Sequence, residues 1–195
     1  MENRILIIGD ELFGESGEVA TRCAEMLLCR APSRPMQFSI NAPLPLSIPQ
    51  LISRAASDII GKKAGRIVLG LGLHDLKKDP LQGARIAETY ANLVEELVNK
   101  TPSGIFVVTI PVDFLPAASD QIAVINGMIL SFEARFLKRV KVLDLAAQTE
   151  SFKEKQLERG KFARSLYSDE AKPTSLCITL HSLFLKDCIL KEIEE

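Results

Sequence analysis

Five short apolar segments, rich in branched side chains, alternate along this chain with segments of helical periodicity. The apolar segments cover residues 4–8, 36–40, 66–71, 104–110 and 140–145. The amphipathic segments between them cover residues 18–29, 48–60, 86–98 and 122–136. Strands that are apolar on both faces and alternate with helices form parallel sheets that helices cover on each side. The pattern therefore predicts an α/β fold, a three-layer sandwich around a five-stranded parallel sheet.

Two more helices are predicted beyond the last apolar segment. Residues 149–164 are highly charged and predict a surface helix, and residues 174–193 predict a final helix. No shift in composition divides the chain, and 195 residues are enough to bury one full core. We therefore predict a single domain over residues 1–195.

The composition argues against several classes of partner. The formal net charge is −1, which gives no long-range attraction for nucleic acid or for an anionic membrane. No apolar run approaches the roughly 20 residues that a membrane-spanning helix needs. The first residues lead directly into a short strand, without the apolar region and cleavage site of a signal peptide. We expect a cytoplasmic protein that binds neither nucleic acid nor membrane.

The cysteines predict neither a disulfide nor a metal site. Cys23, Cys29, Cys177 and Cys188 form no C-x-x-C pair and no cysteine–histidine cluster with zinc spacing. Each of them falls in an apolar helical pattern, which is typical of buried thiols. We therefore expect four buried thiols, no metal and no other cofactor.

Polar residues and glycines follow the predicted strands. Ligands of open parallel sheets bind at the carboxyl ends of the strands. The loop over residues 168–173 leads into the last helix and can return to the same edge of the sheet. The sequence therefore predicts a crevice at this edge. The residues that follow the first four strands are Asp10 and Glu11, Asn41 and Ala42, Gly72 to Asp75, and Asp113.

In chain order, these turns resemble the sequence blocks of the SGNH (GDSL) hydrolase family over nearly the whole chain. That family carries Gly-Asp-Ser after its first strand, a glycine after its second, Gly-x-Asn-Asp after its third and Asp-x-x-His before its last helix. The resemblance implies the family's flavodoxin-like sandwich and an esterase-type active site in the crevice. The matching stretches are Gly9-Asp10-Glu11, Asn41-Ala42, Gly72-Leu73-His74-Asp75 and Asp169-Glu170-Ala171-Lys172.

The departures from the family pattern fall on its catalytic positions. Glu11 stands where the family has its nucleophilic serine, and Lys172 stands where it has its base histidine. His74 replaces the oxyanion asparagine and Ala42 a glycine, while the family's aspartate remains as Asp169. The frame around these positions still matches the family. The matching frame residues are Gly9, Asp10, Gly14, Gly72, Asp75 and Pro173.

These replacements exclude the usual serine mechanism. Acyl transfer needs a nucleophile, a base that takes its proton and donors for the oxyanion. Ala42 keeps its backbone N–H and His74 can still donate, but the ammonium of Lys172 has donors and no acceptor. We expect Glu11, Asp169 and Lys172 to form a satisfied charge network in a retired active site. Such a crevice would bind a small molecule or a protein partner.

Two other functions remain open. Glu11 and His74 could form a different base system in an active esterase, because a carboxylate can orient an imidazole. More distantly, the first turn resembles that of hydrogenase-maturation endopeptidases, which helps to bind nickel. Glu15 and Gly17 would fit that turn, although Asp10 replaces its asparagine and no later ligands are evident.

The remaining polar residues carry less weight. His181 lies inside the last predicted helix, and we interpret it as a packing or surface histidine. Asp113 is interpreted as a loop carboxylate after the fourth strand. The oligomeric state stays open, because a dimer formed through an exposed helix face leaves no clear signature in a sequence.

Overall fold

Five parallel strands form one sheet within the residues that the computed structural model describes, which are 3–30, 36–43, 45–158, 166–168 and 172–194. The spatial order of the strands is β2-β1-β3-β4-β5, and every neighbouring pair is parallel. The predicted α/β fold with a five-stranded parallel sheet is confirmed. The strands are β1 (Arg4–Gly9), β2 (Gln37–Asn41), β3 (Arg66–Gly70), β4 (Gly104–Val108) and β5 (Val140–Leu143).

Seven α-helices lie within the same described residues, and six of them correspond to predicted segments. The segment predicted over residues 149–164 begins earlier, because the Asp144 carboxylate accepts a hydrogen bond from the Ala147 N–H (3.1 Å) and caps the first turn. A short third helix was predicted only as a turn. The helices are α1 (Glu18–Arg30), α2 (Ile48–Asp58), α3 (Leu73–Lys78), α4 (Gly83–Lys100), α5 (Ser119–Phe136), α6 (Leu145–Glu158) and α7 (Ser175–Glu194).

The helices cover the sheet as two layers. The chain passes from β1 outward to β2 through α1, and then in the opposite direction through β3, β4 and β5. Right-handed crossovers therefore place α1 on one face and α2, α4 and α5 on the other. In agreement, α7 packs on α1, whereas α4 packs on both α2 and α5. Both faces of the strands are thus shielded, which is why their sequences do not alternate between apolar and polar residues.

The reversal of direction between β1 and β3 locates the crevice. Gly9 at the end of β1 is paired with Gly70 at the end of β3, so the turns after these two strands lie side by side. Open α/β sheets bind ligands at such a switch point. The adjoining segments of β1 and β3 are fully buried, and they anchor these turns to the core.

The cysteines differ in part from the prediction. All four are described, and all are free thiols. Cys23 and Cys177 are buried and Cys188 is half-buried, but Cys29 is exposed on the last turn of α1. In the described part of the chain, no helix is both long enough and apolar enough to cross a bilayer.

Candidate functional site

The buried Asp10 carboxylate holds the two turns of the crevice together. One of its oxygens accepts a hydrogen bond from the Leu12 N–H and the other from the His74 N–H, each at 3.0 Å. The Asp10 N–H donates to the Gly70 carbonyl at 2.9 Å, which continues the pairing of β1 with β3. Burial raises the pKa of Asp10 to about 6, although both backbone hydrogen bonds favour the ionised carboxylate. Asp10 therefore places Glu11 and His74 beside each other.

A close approach of backbone and ring fixes the turn after β1. Phe13 lies in the 3₁₀ turn Glu11–Phe13 and is fully buried against the ends of β1 and β3. A Cβ atom at Gly70 would lie 2.6 Å from Phe13 Cζ, and one at Gly9 would also overlap the ring. Both glycines are therefore required sterically, and the packing of Phe13 sets the backbone of Glu11.

The side chains of Glu11 and His74 form an ion pair or hydrogen bond in the crevice. Glu11 Oε1 lies 3.3 Å from His74 Nδ1, and both side chains are partly exposed. Their remaining polar atoms, Glu11 Oε2 and His74 Nε2, are buried and have no hydrogen-bond partner among the described residues. Buried polar atoms are rarely left unpaired, so these two atoms are available to a ligand or a water.

The loop after β2 is held against both neighbouring turns. Asp75 accepts from the Ile48 N–H with both carboxylate oxygens, at 3.1 and 3.3 Å, and so ties α3 to the start of α2. Burial raises the pKa of Asp75, against the effect of this hydrogen bond. Ala42 is half-buried, and its carbonyl lies where a Cβ atom at Gly17 would be. Gly17 has a φ of +73°, so glycine is favoured there for two reasons.

Lys172 does not pair with Glu11. Its ammonium lies 3.4 Å from Glu15 Oε1, and both side chains are about half exposed. Asp169 lies outside the described residues. The sequence predicts a charge network of Glu11, Asp169 and Lys172. The contact of Glu11 with Lys172 in that network is corrected, because Glu11 contacts His74 at the start of α3 instead.

Nothing in the described residues supports the nickel-binding alternative. No group of three or more histidine, cysteine, aspartate or glutamate side chains is placed there to hold a metal ion. Glu15, which would be a ligand in that interpretation, is paired with Lys172 instead.

A second polar cluster, which the sequence did not reveal, joins the turn after β4 to α6. Lys153 Nζ lies 2.6 Å from Asp113 Oδ2 and 2.9 Å from Glu150 Oε1. Burial lowers the pKa of Lys153, but the hydrogen bonds to the two carboxylates outweigh that effect and raise it. Asp113 is thus a paired loop carboxylate. Sequence carries no signal for a contact between residues 40 positions apart in separate elements.

His181 belongs to a buried cluster on α7. Its ring nitrogens lie 3.6 Å from Cys177 Sγ, and Nε2 lies 3.2 Å from Thr149 Oγ1. Burial lowers the pKa of His181 to about 4 and raises that of Cys177 to about 12. Both groups are therefore neutral at pH 7, unlike a catalytic thiolate–imidazolium pair. The interpretation of His181 as a packing residue is confirmed by its complete burial.

Comparison with known proteins identifies the fold. No protein-family model and no curated protein matches the sequence. Solved structures match over nearly the whole chain. The acetyl xylan esterase AlAXEase superposes with a TM-score of 0.75 at 15% identity, covering 95% of this chain and 99% of its own. LAE5, an alpha/beta hydrolase from the metagenome of Lake Arreo in Spain, gives 0.74 at 14% identity, with coverages of 98% and 95%.

Axe2, an acetylxylan esterase from Geobacillus stearothermophilus, gives a TM-score of 0.68 at 16% identity, with coverages of 99% and 96%. At these identities the likeness shows the fold alone. It confirms the SGNH-hydrolase-like fold that the sequence blocks imply.

Proposed function

We propose that this chain is a ligand-binding protein that uses an SGNH-hydrolase-like frame and has lost serine-esterase chemistry. The observation that carries the proposal is the contact of Glu11 Oε1 with His74 Nδ1 at 3.3 Å. In the SGNH pattern, these two positions hold the nucleophile and an oxyanion donor. Here they are engaged with each other, and neither is left to do its former work.

The charges in the crevice oppose acyl transfer, in addition to the absence of the serine hydroxyl. The tetrahedral intermediate carries a negative charge that donors must stabilise. A Glu11 carboxylate beside that position repels the charge, and His74 directs Nδ1 to the carboxylate rather than to the oxyanion. Lys172, at the position of the base, is an ammonium paired with Glu15. Nucleophile, base and oxyanion stabilisation are thus all impaired.

The same contacts indicate what kind of ligand the crevice accepts. Glu11 Oε2 is an acceptor, and His74 Nε2 accepts or donates according to its protonation. A ligand that offers a hydroxyl or an amine to Glu11 satisfies a buried acceptor that is otherwise unpaired. The partner is a small molecule, or a protein side chain, that bears such a donor. We place this function in the cytoplasm, where free thiols such as the four present here stay reduced.

Ester hydrolysis tests the proposal. Short-chain nitrophenyl and naphthyl esters are incubated with the wild type and with Glu11→Ala, His74→Ala and Glu15→Ala. The last is a matched control, because Glu15 is a carboxylate close to the same turn and pairs with Lys172 instead. We expect no turnover above background for any of the four proteins. Turnover that disappears in Glu11→Ala and His74→Ala but persists in Glu15→Ala would contradict the proposal.

The Glu11–His74 contact also favours a second function, hydrolysis without a serine. A carboxylate that orients one imidazole nitrogen leaves the other free as a general base for water. His74 Nε2 is in that position, since no described residue pairs with it. This alternative requires activity with the pH dependence of a histidine. Glu11→Gln would then lower kcat more than it raises KM, because the amide keeps the shape of the side chain and loses its charge.

A further inference from the structure

A cavity of about 760 Å³ lies at the amino edge of the sheet, at the other end of the strands from the crevice. Residues at the starts of β3, β4 and β5 line it, and the last turn of α7 borders it. Among the described residues, four cationic side chains and one carboxylate line the cavity, which gives it a formal charge of +3. Cations are concentrated here, because the whole chain has a net charge of −1. The charged lining residues are Arg66, Lys138, Arg139, Lys141 and Glu192.

The two arginines of this cavity are held by backbone carbonyls. Arg66 Nη2 donates to the Glu192 carbonyl at 3.1 Å, near the end of α7. Arg139 donates to the carbonyls of Thr101 and Ser103, which follow α4. Cations stabilise the carbonyl ends of helices, so both arginines have a structural role. These contacts also fix the positions of the two guanidinium groups at the cavity.

Arg139 has a hydrogen-bond donor that these carbonyls do not use. Its Nε–H is buried, and no described residue accepts from it. Buried donors are rarely left without an acceptor. A guanidinium presents its N–H groups as a rigid planar fork that matches the oxygens of a phosphate. A bound anion would therefore supply the acceptor that the described part of the chain does not.

The charges of the two lysines at the cavity are largely uncompensated. Lys138 is exposed, and it has no ion-pair partner within the described residues. Lys141 Nζ lies 3.5 Å from Glu192 Oε1, and these side chains are 46% and 26% exposed. A solvent-exposed ion pair of this kind contributes little free energy. Lys141 can therefore exchange this contact for one with a bound anion at small cost.

Gly104, the first residue of β4, leaves free space in the lining of the cavity. A Cβ atom added there would meet nothing within 4 Å, and the φ of this residue is not positive. Neither packing nor backbone conformation therefore requires glycine at this position. Glycine weakens a strand, and it is typical of places where a ligand comes close to the backbone. The backbone of β4 is thus accessible from the cavity.

From these observations we propose that the cavity binds a diphosphate group, either free or attached to an organic molecule. One phosphate monoester carries a charge of about −1.5 to −2 at pH 7, so two phosphates match the excess of positive charge better than one. Phosphate oxygens also accept several charge-assisted hydrogen bonds at once, and the fixed guanidinium of Arg139 suits them. This site lies at the opposite edge of the sheet from the crevice, and it does not depend on the function proposed there.

Isothermal titration calorimetry of the full chain tests the proposal, with pyrophosphate, ADP and citrate as probes. We expect pyrophosphate and ADP to bind with a stoichiometry of one, and citrate to bind about tenfold more weakly, because its carboxylates have fewer oxygens for the guanidinium and ammonium donors. Tighter binding of ADP than of pyrophosphate would identify an organic carrier of the diphosphate, and the reverse order would identify the free anion. Absence of binding by both phosphates overturns the proposal. Citrate that binds as tightly as pyrophosphate overturns the assignment to phosphate.

Variants of the cavity locate the bound anion. Lys138→Ala and Lys141→Ala should each weaken pyrophosphate binding roughly fivefold, as expected for solvent-exposed charges. Glu192→Gln should tighten binding about threefold, because its carboxylate no longer competes for Lys141. Lys77→Ala is the matched control, since Lys77 is an exposed lysine on α3 at the carboxyl edge, and circular dichroism checks that each variant is folded. Equal affinities in all four variants would place the anion elsewhere and overturn the proposal.

Discussion

Asp10 shows how one buried carboxyl both builds the crevice and makes the protein sensitive to pH. Its pKa rises from 3.8 to about 6 on folding, so the native state binds a proton between these values that the unfolded state does not. The stabilisation is fully present below pH 3.8 and is lost as the pH rises through 6. A shift of this size corresponds to roughly 3 kcal/mol.

We predict that Asp10→Asn removes this dependence. Between pH 4 and pH 7, the free energy of unfolding of the wild type should fall by about 2.4 kcal/mol relative to that of the variant. Urea unfolding of both proteins across this range measures the difference. At pH 7 the ionised Asp10 of the wild type accepts from both the Leu12 and the His74 N–H, whereas the amide of the variant can accept from only one of them. Parallel pH profiles for the two proteins would show that Asp10 titrates normally.

His181 should act in the opposite direction. Its pKa falls from 6.5 to about 4 on folding, because burial disfavours the imidazolium. The unfolded state then binds the extra proton, so stability is lost as the pH falls from 6.5 through 4. We predict that His181→Asn flattens this part of the urea-unfolding profile, at the cost of packing against Phe114 and Cys177. An unchanged slope would mean that His181 is accessible to solvent.

At the scale of single residues, the sequence best predicts contacts between the turns that follow neighbouring strands. Glu11 and His74 come together because the turns after β1 and β3 are adjacent, and the sequence blocks already suggested that adjacency. The contact of Lys172 with Glu15 could not be predicted in the same way. It depends on the path of a loop between distant elements, and on a choice between carboxylates that sequence does not distinguish.

At the scale of elements, the sheet was predictable and the short connections were not. The strands are short apolar segments in a regular alternation, and their observed bounds differ from the predicted ones by one or two residues. The helix α3 was missed because six residues show no period, and its start is stabilised by a distant carboxylate, Asp10. The predicted burial of Cys29 is also wrong, because the last three residues of α1 are all exposed.

The contact of the Phe13 ring with the ends of β1 and β3 makes the stability of the protein sensitive to a side chain at Gly70. Gly70→Ala should lower the free energy of unfolding by about 2 kcal/mol, because the buried ring must move to admit a Cβ atom. Gly104→Ala is the matched control in β4, where a Cβ atom meets nothing within 4 Å. Urea unfolding should separate the two variants clearly. Recovery of stability when Phe13→Leu is added to Gly70→Ala would identify the ring as the cause.

For the whole molecule, the arrangement of the core predicts cooperative unfolding. One contiguous apolar cluster includes buried side chains from β1, β3, β4 and β5 and from helices on both faces of the sheet, and Phe38 and Ile40 of β2 pack against it. A helical layer that separated from the sheet would expose its own apolar surface. Both layers and the sheet should therefore unfold together. Single-domain behaviour is therefore expected, as the uniform composition predicts. Far-ultraviolet circular dichroism and tyrosine fluorescence, from Tyr90 and Tyr167 in different parts of the core, should give one midpoint.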